Sequence, residues 1–376
     1  MTADMQKEPV SVQMSLSVMH RYFPEQVLWH YEHGLVLQSI YAAGKKAGRP
    51  DFASWVRTMY DTKIQPDGSI LSYKDKEYNL DQINPGKHLF DLYKDTGEEK
   101  YRKAIEILRD QLKNQPRTQS GGFWHKKIYP WQMWLDGLYM EGPFYARYAA
   151  EFGNDTDFED VVHQVELVYA HTRDKNTGLL YHAWDESCKQ LWANPDTGCS
   201  PHFWGRAMGW YCMALLDILD WIPDDRRHRE QRESLAAIAN SLIKPVLSVQ
   251  DQKSGLWYQV LDMPSRAQNY LETSASSMFV YFMYKLVRMG LLSAASGMDK
   301  ASVLSAAARG YAGLCSRLST DKEGYLHLSG ICSVAGLGGN PYRDGSYEYY
   351  VKEAVVSDDF KGVGPFIFAS LEAESI

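Results

Sequence analysis

The sequence predicts an all-α fold in which six helical hairpins form a ring, an (α/α)6 toroid. The first observation is a weak repeat: turn glycines followed by apolar or aromatic residues recur every 54 to 77 residues. Repetition of this kind indicates repeated supersecondary units. The second observation is that helical patterns separate these glycines and alternate between polar and apolar character. The repeat glycines are Gly68, Gly122, Gly178, Gly255 and Gly324.

The helical patterns are of two kinds. Segment 98–114 places Tyr101 and Leu108 at helical spacing among charged residues, which predicts an amphipathic outer helix. Segment 273–290 is apolar nearly all round, which predicts a buried inner helix that ends at Gly290. Each repeat therefore consists of an outer helix, a glycine turn, a short extended arm and an inner helix.

Capping residues predict where two inner helices begin. Asn84 precedes Pro85, and Ser200 precedes Pro201, which suits the N-cap and first position of a helix. Five arms predict five hairpins. The ring closes if segment 14–22 serves as the outer partner of the C-terminal segment "GVGPFIFASLEAE". No linker or low-complexity stretch divides the chain, so we predict one domain over residues 1–376.

Composition and charge limit the functions to consider. Apolar residues make up 45% of the 376, ample for a core, and the net charge of −7 argues against general nucleic-acid binding. The five cysteines are odd in number and lack CxxC spacing, so neither a disulfide framework nor a zinc site is predicted. No signal peptide or long apolar run is evident. We therefore expect a cytoplasmic protein away from membranes, monomeric or weakly homo-oligomeric, without metal or cofactor.

The arms lead to the starts of the inner helices, so polar residues near those starts should meet at one rim. Asp81 precedes one predicted inner helix, and Asp136 lies near the start of another. Arg206 lies near the start of a third, between Gly205 and Gly209, which cost helix stability unless close approach requires them. The basic and aromatic residues predicted on the same rim are His125, Lys126, Trp134, His182, Trp204 and Trp210.

Asp136 stands in the apolar stretch "WLDGLYM". Loss of water disfavours the charged form of a carboxyl group, and a carboxyl beside tryptophan can keep its proton near neutral pH and act as a general acid. Paired carboxylates with aromatic walls are typical of carbohydrate chemistry. The sequence therefore predicts a small oligosaccharide as the ligand.

Each of these residues also has a purely structural explanation. Asp136 can favour the positive end of a helix, Asp81 can be a turn residue, and Arg206 can be an ion-pair partner. The histidines can be satisfied polar groups, and the tryptophans are more often core residues. The convergence of two carboxylates, basic groups and tryptophans on one rim favours a binding site.

Three segments in order carry a family resemblance. "WLDGLYMEGPFYARYA", "PHFWGRAMGWY" and "NPYRDGSYEYYV…DFKGVGPF" resemble the signatures of the unsaturated rhamnogalacturonyl hydrolases, glycoside hydrolase family 105. The unsaturated glucuronyl hydrolases of family 88 share the fold of that family. The resemblance extends from about Gln26 to Phe368 and implies an (α/α)6 barrel, in agreement with the count of hairpins.

The resemblance implies an unusual hydrolysis of oligosaccharides that a lyase has left with a C4=C5 double bond in the terminal uronic acid. A carboxylic acid protonates C4, water activated by a carboxylate adds at C5, and the hemiketal opens and releases the neighbouring sugar, usually rhamnose. By motif match, Asp136 is the acid/base, and Asp81 is the second aspartate, which assists or orients the substrate. The residues matching family positions around the sugar are Lys126, His182, Trp204, Arg206 and Trp210. His125 and Trp134 are further candidates for substrate contact.

Two other functions stay open at this point. Another (α/α)6 sugar enzyme, such as an N-acylglucosamine 2-epimerase-like isomerase, would abstract a proton beside a carbonyl and typically needs a pair of histidines, whereas the candidate acids here are aspartates. A non-catalytic oligosaccharide-binding protein would need no acid/base pair, so Asp136→Asn would leave its function intact.

Overall fold

The computed structural model describes residues 7–376, which form thirteen α-helices and three short antiparallel ribbons. The helices are α1 (Val10–Arg21), α2 (Tyr31–Ala47), α3 (Pro50–Asp61), α4 (Leu89–Thr96), α5 (Glu99–Asn114), α6 (Leu135–Glu151), α7 (Asp155–Thr172), α8 (Gly205–Leu219), α9 (Arg229–Ser248), α10 (Thr273–Arg288), α11 (Lys300–Cys315), α12 (Tyr347–Lys352) and α13 (Phe360–Ala373). Within the described residues, none of these helices combines the length and apolar character that crossing a membrane requires.

Each ribbon has two strands. The pairs are β1 (Gln132–Trp134) with β2 (Ala183–Asp185), β3 (Leu318–Thr320) with β4 (Leu326–Leu328), and β5 (Ile331–Cys332) with β6 (Val355–Val356). In the first ribbon, Trp134 lies opposite Ala183, so the strand before α6 is tied to the arm that follows α7.

The predicted ring of six hairpins is confirmed. The inner layer consists of α2, α4 with the 3-10 turn Asn84–His88, α6, α8, α10 and α13, and each of these contacts the next. Contact between α13 and α2 closes the ring. The odd-numbered helices α1 to α11 form the outer layer. Helix α1 packs against both α2 and α13, the arrangement predicted for segment 14–22. The extension of one domain over the whole chain stays a prediction, and this closure supports it.

The repeat glycines make tight turns between the outer helices and the arms. Gly68, Gly178, Gly255 and Gly324 have φ values of +90°, +76°, +75° and +88°, a region where a Cβ atom is strained. The second repeat differs from the prediction by one residue, because Gly121 has the positive φ, +91°. Gly122 instead packs closely, and a Cβ there would lie 2.1 Å from the sulfur of Met133.

Two predicted helix starts are too early. Helix α4 begins at Leu89, because residues 84–88 form a 3-10 turn and the Asn84 side chain donates to the Tyr139 carbonyl over 3.4 Å instead of capping. Helix α8 begins at Gly205, because the Ser200 hydroxyl accepts a hydrogen bond from the Ala183 amide in the preceding arm. In both cases the side chain predicted as a helix cap instead forms a hydrogen bond with the main chain of another segment. The predicted end of α10 is confirmed, since Gly290 follows it with φ +69°.

We predict that Gly255→Ala destabilises the protein by about 3 kcal/mol or more, because strain at positive φ adds to a steric conflict. A Cβ at Gly255 would lie 2.3 Å from the Arg309 carbonyl oxygen. Gly290→Ala is the matched control, since Gly290 also has a positive φ but no atom lies within 4 Å of the added Cβ. Urea unfolding of both variants measures the difference, and equal midpoints would contradict the steric argument.

Candidate active site

A small cavity of about 160 Å³ lies at the rim where inner helices begin. Five of the residues predicted from the sequence line it: Asp81, His125, Lys126, Trp134 and Asp136. The lining also includes His30, Tyr31, Glu32, Tyr129, Met140, Val334, Ala335 and Arg343. The structure therefore brings both predicted carboxylates to one cavity, together with two cations and several aromatic rings.

Asp81 is buried and ion-paired. Its Oδ2 lies 2.6 Å from the Nζ of Lys126, and its Oδ1 lies 3.6 Å from the Nε2 of His125. Burial opposes ionisation of Asp81, but Lys126, His125 and His30 together lower the pKa of the carboxyl to about 2. Burial also lowers the pKa of His125 to about 4. At neutral pH His125 is thus uncharged, and Lys126 supplies the charge that keeps Asp81 ionised.

Local backbone structure sets the position of this pair. The amide of Leu80, one residue before Asp81, donates to the His125 carbonyl over 3.1 Å. The amide of His125 in turn donates to the carbonyl of Gln132 in β1 over 2.9 Å. The Asp81 turn, the arm with Lys126 and the strand before α6 are therefore joined by main-chain hydrogen bonds.

Stacked rings form one wall of the cavity. Trp134 lies between His125 and Tyr129, with ring centroids 4.5 and 5.0 Å apart and interplanar angles of 13° and 18°. The indole nitrogen of Trp134 donates to the side-chain oxygen of Gln132 over 3.0 Å. With its ring faces and nitrogen all engaged, Trp134 is held in one orientation at the cavity.

Asp136 is the second residue of α6, which begins at Leu135, so it lies near the start of an inner helix. Its side chain is 14% exposed, and its Oδ2 lies 3.2 Å from the Nε2 of His182. That contact lacks the alignment of a hydrogen bond. The amide of Leu135 donates to the His182 carbonyl over 3.0 Å, so the arm that carries His182 also holds the start of α6.

Four residues predicted to contact the sugar do not reach the cavity wall in this structure. His182 is fully buried, and Trp204, Arg206 and Trp210 are each 1% exposed. The late start of α8 explains part of this, because Trp204 becomes its N-cap and Arg206 its second residue. The four side chains lie outside the cavity lining, and their contact with a substrate stays a prediction.

Arg206 supports the opposite wall of the cavity. Its guanidinium donates to the main-chain carbonyls of Cys332 and Ser333, over 2.5 and 3.3 Å. These residues immediately precede Val334 and Ala335, which line the cavity. Arg206 therefore anchors this segment by hydrogen bonds to carbonyl oxygens, and in the described part of the chain no acidic side chain forms the ion pair that its structural explanation supposed.

Sequence reasoning missed several lining residues. His30, Tyr31 and Glu32 lie at the start of α2, so the rule that inner-helix starts converge would have found them had α2 been assigned as an inner helix. Arg343 lies in the segment "NPYRDGSYEYYV", which carried the family resemblance. Its Nη2 donates to the Tyr129 hydroxyl over 2.8 Å. Glu32 is half-buried, and although burial opposes its ionisation, Lys361 lowers its pKa.

Larger depressions lie elsewhere on the barrel. Two of them, of about 750 and 760 Å³, are each lined by a single aspartate, Asp262 in one and Asp174 in the other. A third, of about 390 Å³, is lined by three aspartates, but each of these is ion-paired with Arg147 or Lys285. Within residues 7–376, no group of three or more histidines, cysteines or acids is arranged to hold a metal ion. The smaller rim cavity is therefore the candidate active site.

Comparison with known proteins identifies the family of the chain. The family model described as Glycosyl Hydrolase Family 88 matches residues 5–376. A glycoside hydrolase of family 105 from C. acetobutylicum is 45% identical, with a TM-score of 0.93 over 98% of this chain and 100% of that one. The unsaturated rhamnogalacturonyl hydrolase YesR of Bacillus subtilis is 27% identical over 69% of this chain and 71% of its own length.

A more distant structure shares the fold. The unsaturated glucuronyl hydrolase from Bacillus sp. GL1 is 11% identical, with a TM-score of 0.64 over 97% of this chain and 95% of that one. The resemblance inferred from the three sequence segments is confirmed, and the chain is a glycosidase that belongs to Glycosyl Hydrolase Family 88.

Proposed function

We propose that this protein removes a 4,5-unsaturated uronic acid from the end of lyase-generated oligosaccharides, and that the neighbouring sugar is rhamnose. The observation that carries the proposal is that two carboxylates line one small cavity in unlike surroundings. Asp81 is ion-paired with Lys126, whereas within residues 7–376 no lysine or arginine lies at ion-pair distance from Asp136. The family 105 relative and YesR, whose name includes unsaturated rhamnogalacturonyl hydrolase, support the choice of substrate.

The unlike surroundings divide the chemistry between the two aspartates. Asp81, with a pKa of about 2, is ionised at neutral pH and cannot donate a proton there. The proton donor is therefore Asp136, which carries its proton to C4 of the double bond. Asp81, in its ionised form, accepts hydrogen bonds from sugar hydroxyls.

The reaction then proceeds without a covalent enzyme intermediate. Protonation at C4 leaves positive charge at C5, shared with the ring oxygen, and water adds at C5 while Asp136 takes up the proton that the water loses. The bond from C5 to the ring oxygen breaks as the hemiketal opens. The resulting hemiacetal at C1 releases the neighbouring sugar as an alcohol and leaves an aldehyde at C1 and a ketone at C5.

The charges at the cavity suit an anionic substrate. Lys126 is paired with Asp81, whereas Arg343 is bound through its Nε and Nη2 to neutral groups: the carbonyls of Gly338 and Leu337 and the Tyr129 hydroxyl. A guanidinium with neutral neighbours keeps its full charge for a carboxylate. We assign Arg343 to the substrate's uronate group. The cytoplasmic location and the monomeric or weakly oligomeric state stay predictions.

Reaction in heavy water tests the proposed function. If Asp136 protonates carbon, turnover of an unsaturated galacturonyl-rhamnose disaccharide places deuterium at C4 of the uronic acid product and removes the ultraviolet absorbance of the double bond. Mass spectrometry at early time points measures the deuterium.

Isolated product incubated without enzyme is the control, because its C5 ketone lets the C4 hydrogens exchange with solvent. A saturated disaccharide should be inert. Cleavage of that saturated analogue, or release of rhamnose without deuterium on carbon, would show that the reaction is ordinary glycoside hydrolysis.

We predict that Asp136→Asn lowers kcat by about 10²–10⁴-fold or more, because the amide can neither supply nor take up the proton. Disaccharide binding and the melting temperature should change little, since within residues 7–376 the buried Oδ2 of Asp136 has no hydrogen-bond partner to lose. Asp95→Asn is the control, an exposed aspartate that accepts a hydrogen bond from Tyr41. Steady-state kinetics and calorimetric binding measure both variants, and activity of Asp136→Asn within a few-fold of wild type would refute its role.

We predict that Lys126→Met makes kcat/KM fall under mildly acidic conditions where the wild type stays active. In the wild type, Asp81 keeps its charge down to its pKa of about 2. Without Lys126, burial raises the pKa of Asp81, so the carboxyl gains a proton as the pH falls. Profiles of kcat/KM from about pH 4 to 8 measure the change. Lys126→Arg, which keeps the charge, should retain the wild-type shape, and an unchanged profile in Lys126→Met would contradict the argument.

A further inference from the structure

Behind the cavity, three polar side chains form a buried chain that runs from Tyr350 through His182 to Asp136. The Tyr350 hydroxyl lies 2.7 Å from the Nδ1 of His182. On the other side of the same ring, Nε2 lies 3.2 Å from the Oδ2 of Asp136. Tyr350 and His182 are both fully buried, so no solvent stands between these groups.

Burial indicates which group donates in the hydrogen bond between Tyr350 and His182. Burial raises the pKa of Tyr350 well above 10, so the phenol keeps its proton. Within residues 7–376, the only hydrogen bond of this hydroxyl is the one to His182. A buried hydroxyl proton needs an acceptor, so Tyr350 donates and the Nδ1 of His182 accepts. A neutral imidazole whose Nδ1 accepts carries its single proton on Nε2.

The tautomer of His182 determines what Asp136 faces. With the proton on Nε2, the N–H group lies 3.2 Å from Oδ2 without the alignment of a hydrogen bond, and within residues 7–376 this buried oxygen has no hydrogen-bond partner. The other tautomer would set a nitrogen lone pair against that oxygen. An N–H at Oδ2 holds the carboxyl group in one orientation and leaves Oδ1 for the cavity. Contacts of this kind are often poorly aligned without substrate and tighten when it binds.

We propose that Tyr350 is a positioning residue for Asp136: it fixes the tautomer of His182, and His182 thereby orients the acid at the cavity. The inference rests on the proposed function of Asp136 and adds a residue to it. Tyr350 is itself held, since its main-chain carbonyl accepts a hydrogen bond from Gln259 over 3.0 Å. The side-chain oxygen of Gln259 accepts from the indole of Trp204 over 3.1 Å. This links Trp204, a residue predicted to contact substrate, to the same buried network.

The tautomer itself can be observed without any substrate. Protein labelled with ¹⁵N-histidine gives long-range ¹H–¹⁵N spectra that distinguish the two neutral tautomers, and His182→Gln assigns the signals. We expect His182 to carry its proton on Nε2 in the wild type and to show the Nδ1 tautomer or a mixture in Tyr350→Phe. A wild-type His182 protonated on Nδ1 alone, or on both nitrogens, at neutral pH would overturn the proposal.

Kinetics separate positioning from a merely structural role. Tyr350→Phe should lower kcat about tenfold or more with KM changed less than about twofold, because the acid is misoriented while the cavity stays intact. Tyr211→Phe is the matched control: Tyr211 is also fully buried, and its hydroxyl donates to the Val165 carbonyl over 3.0 Å, away from the cavity. We expect similar losses of melting temperature in both variants and kcat within about twofold of wild type for Tyr211→Phe.

The outcomes are distinct. A kcat for Tyr350→Phe no lower than that of Tyr211→Phe overturns the positioning role. If the wild-type protein itself leaves unsaturated disaccharides untouched, the proposed function fails, and the spectra still decide the tautomer. If Tyr350→Phe does not fold, the wild-type spectra alone decide whether Nε2 carries the proton.

Discussion

Closure of the inner helices into a ring is the constraint on which the rest of the structure depends. Helices α13 and α2 close it at Gly364, where a Cβ atom would lie 2.6 Å from the Leu35 side chain. Helices α8 and α10 approach equally closely at Gly209, against Met278. A glycine inside a helix costs stability, and here it permits the approach that the ring requires. Because inner helices all begin on one rim, the arms before them deliver their side chains to one place.

The two aspartates at the rim cavity have different electrostatic surroundings. Asp81 and Lys126 form a buried ion pair, an arrangement whose cost of desolvation can exceed its attraction. Among the described residues, no lysine or arginine pairs with Asp136, which instead lies beside the N–H that we assign to His182. A cavity that holds one ionised carboxylate and a second carboxyl group that we propose as the acid/base can run acid and base steps in sequence. The buried ion pair therefore makes sense as part of the chemistry more than as a source of stability.

A site residue could be predicted from the sequence where a turn or helix signal lies next to it along the chain. Asp81, Lys126 and Asp136 lie on arms or first turns next to clear turn and helix signals, so spacing and motif placed them correctly. Arg206 carried an equally clear motif, but it lies outside the cavity lining and binds the Cys332 carbonyl, 126 residues later in the chain and next to the segment that lines the cavity. Arg343 comes from the segment between β5 and α12, which has no helical period, and Tyr350 comes from α12, whose six residues are too few for a period to indicate which side chains point inward.

By itself, the sequence determined the architecture and the chemistry of the candidate acids. Periodic apolar residues, turn glycines and caps act over a few residues, so they are readable along the chain, and they define six hairpins. Only the tertiary structure decided the surroundings of each group: that Lys126 pairs with Asp81, that His182 faces Asp136, and that Tyr350 stands behind His182. Burial, charge and hydrogen-bond direction depend on atoms far apart in sequence, and folding alone brings them within a few ångströms.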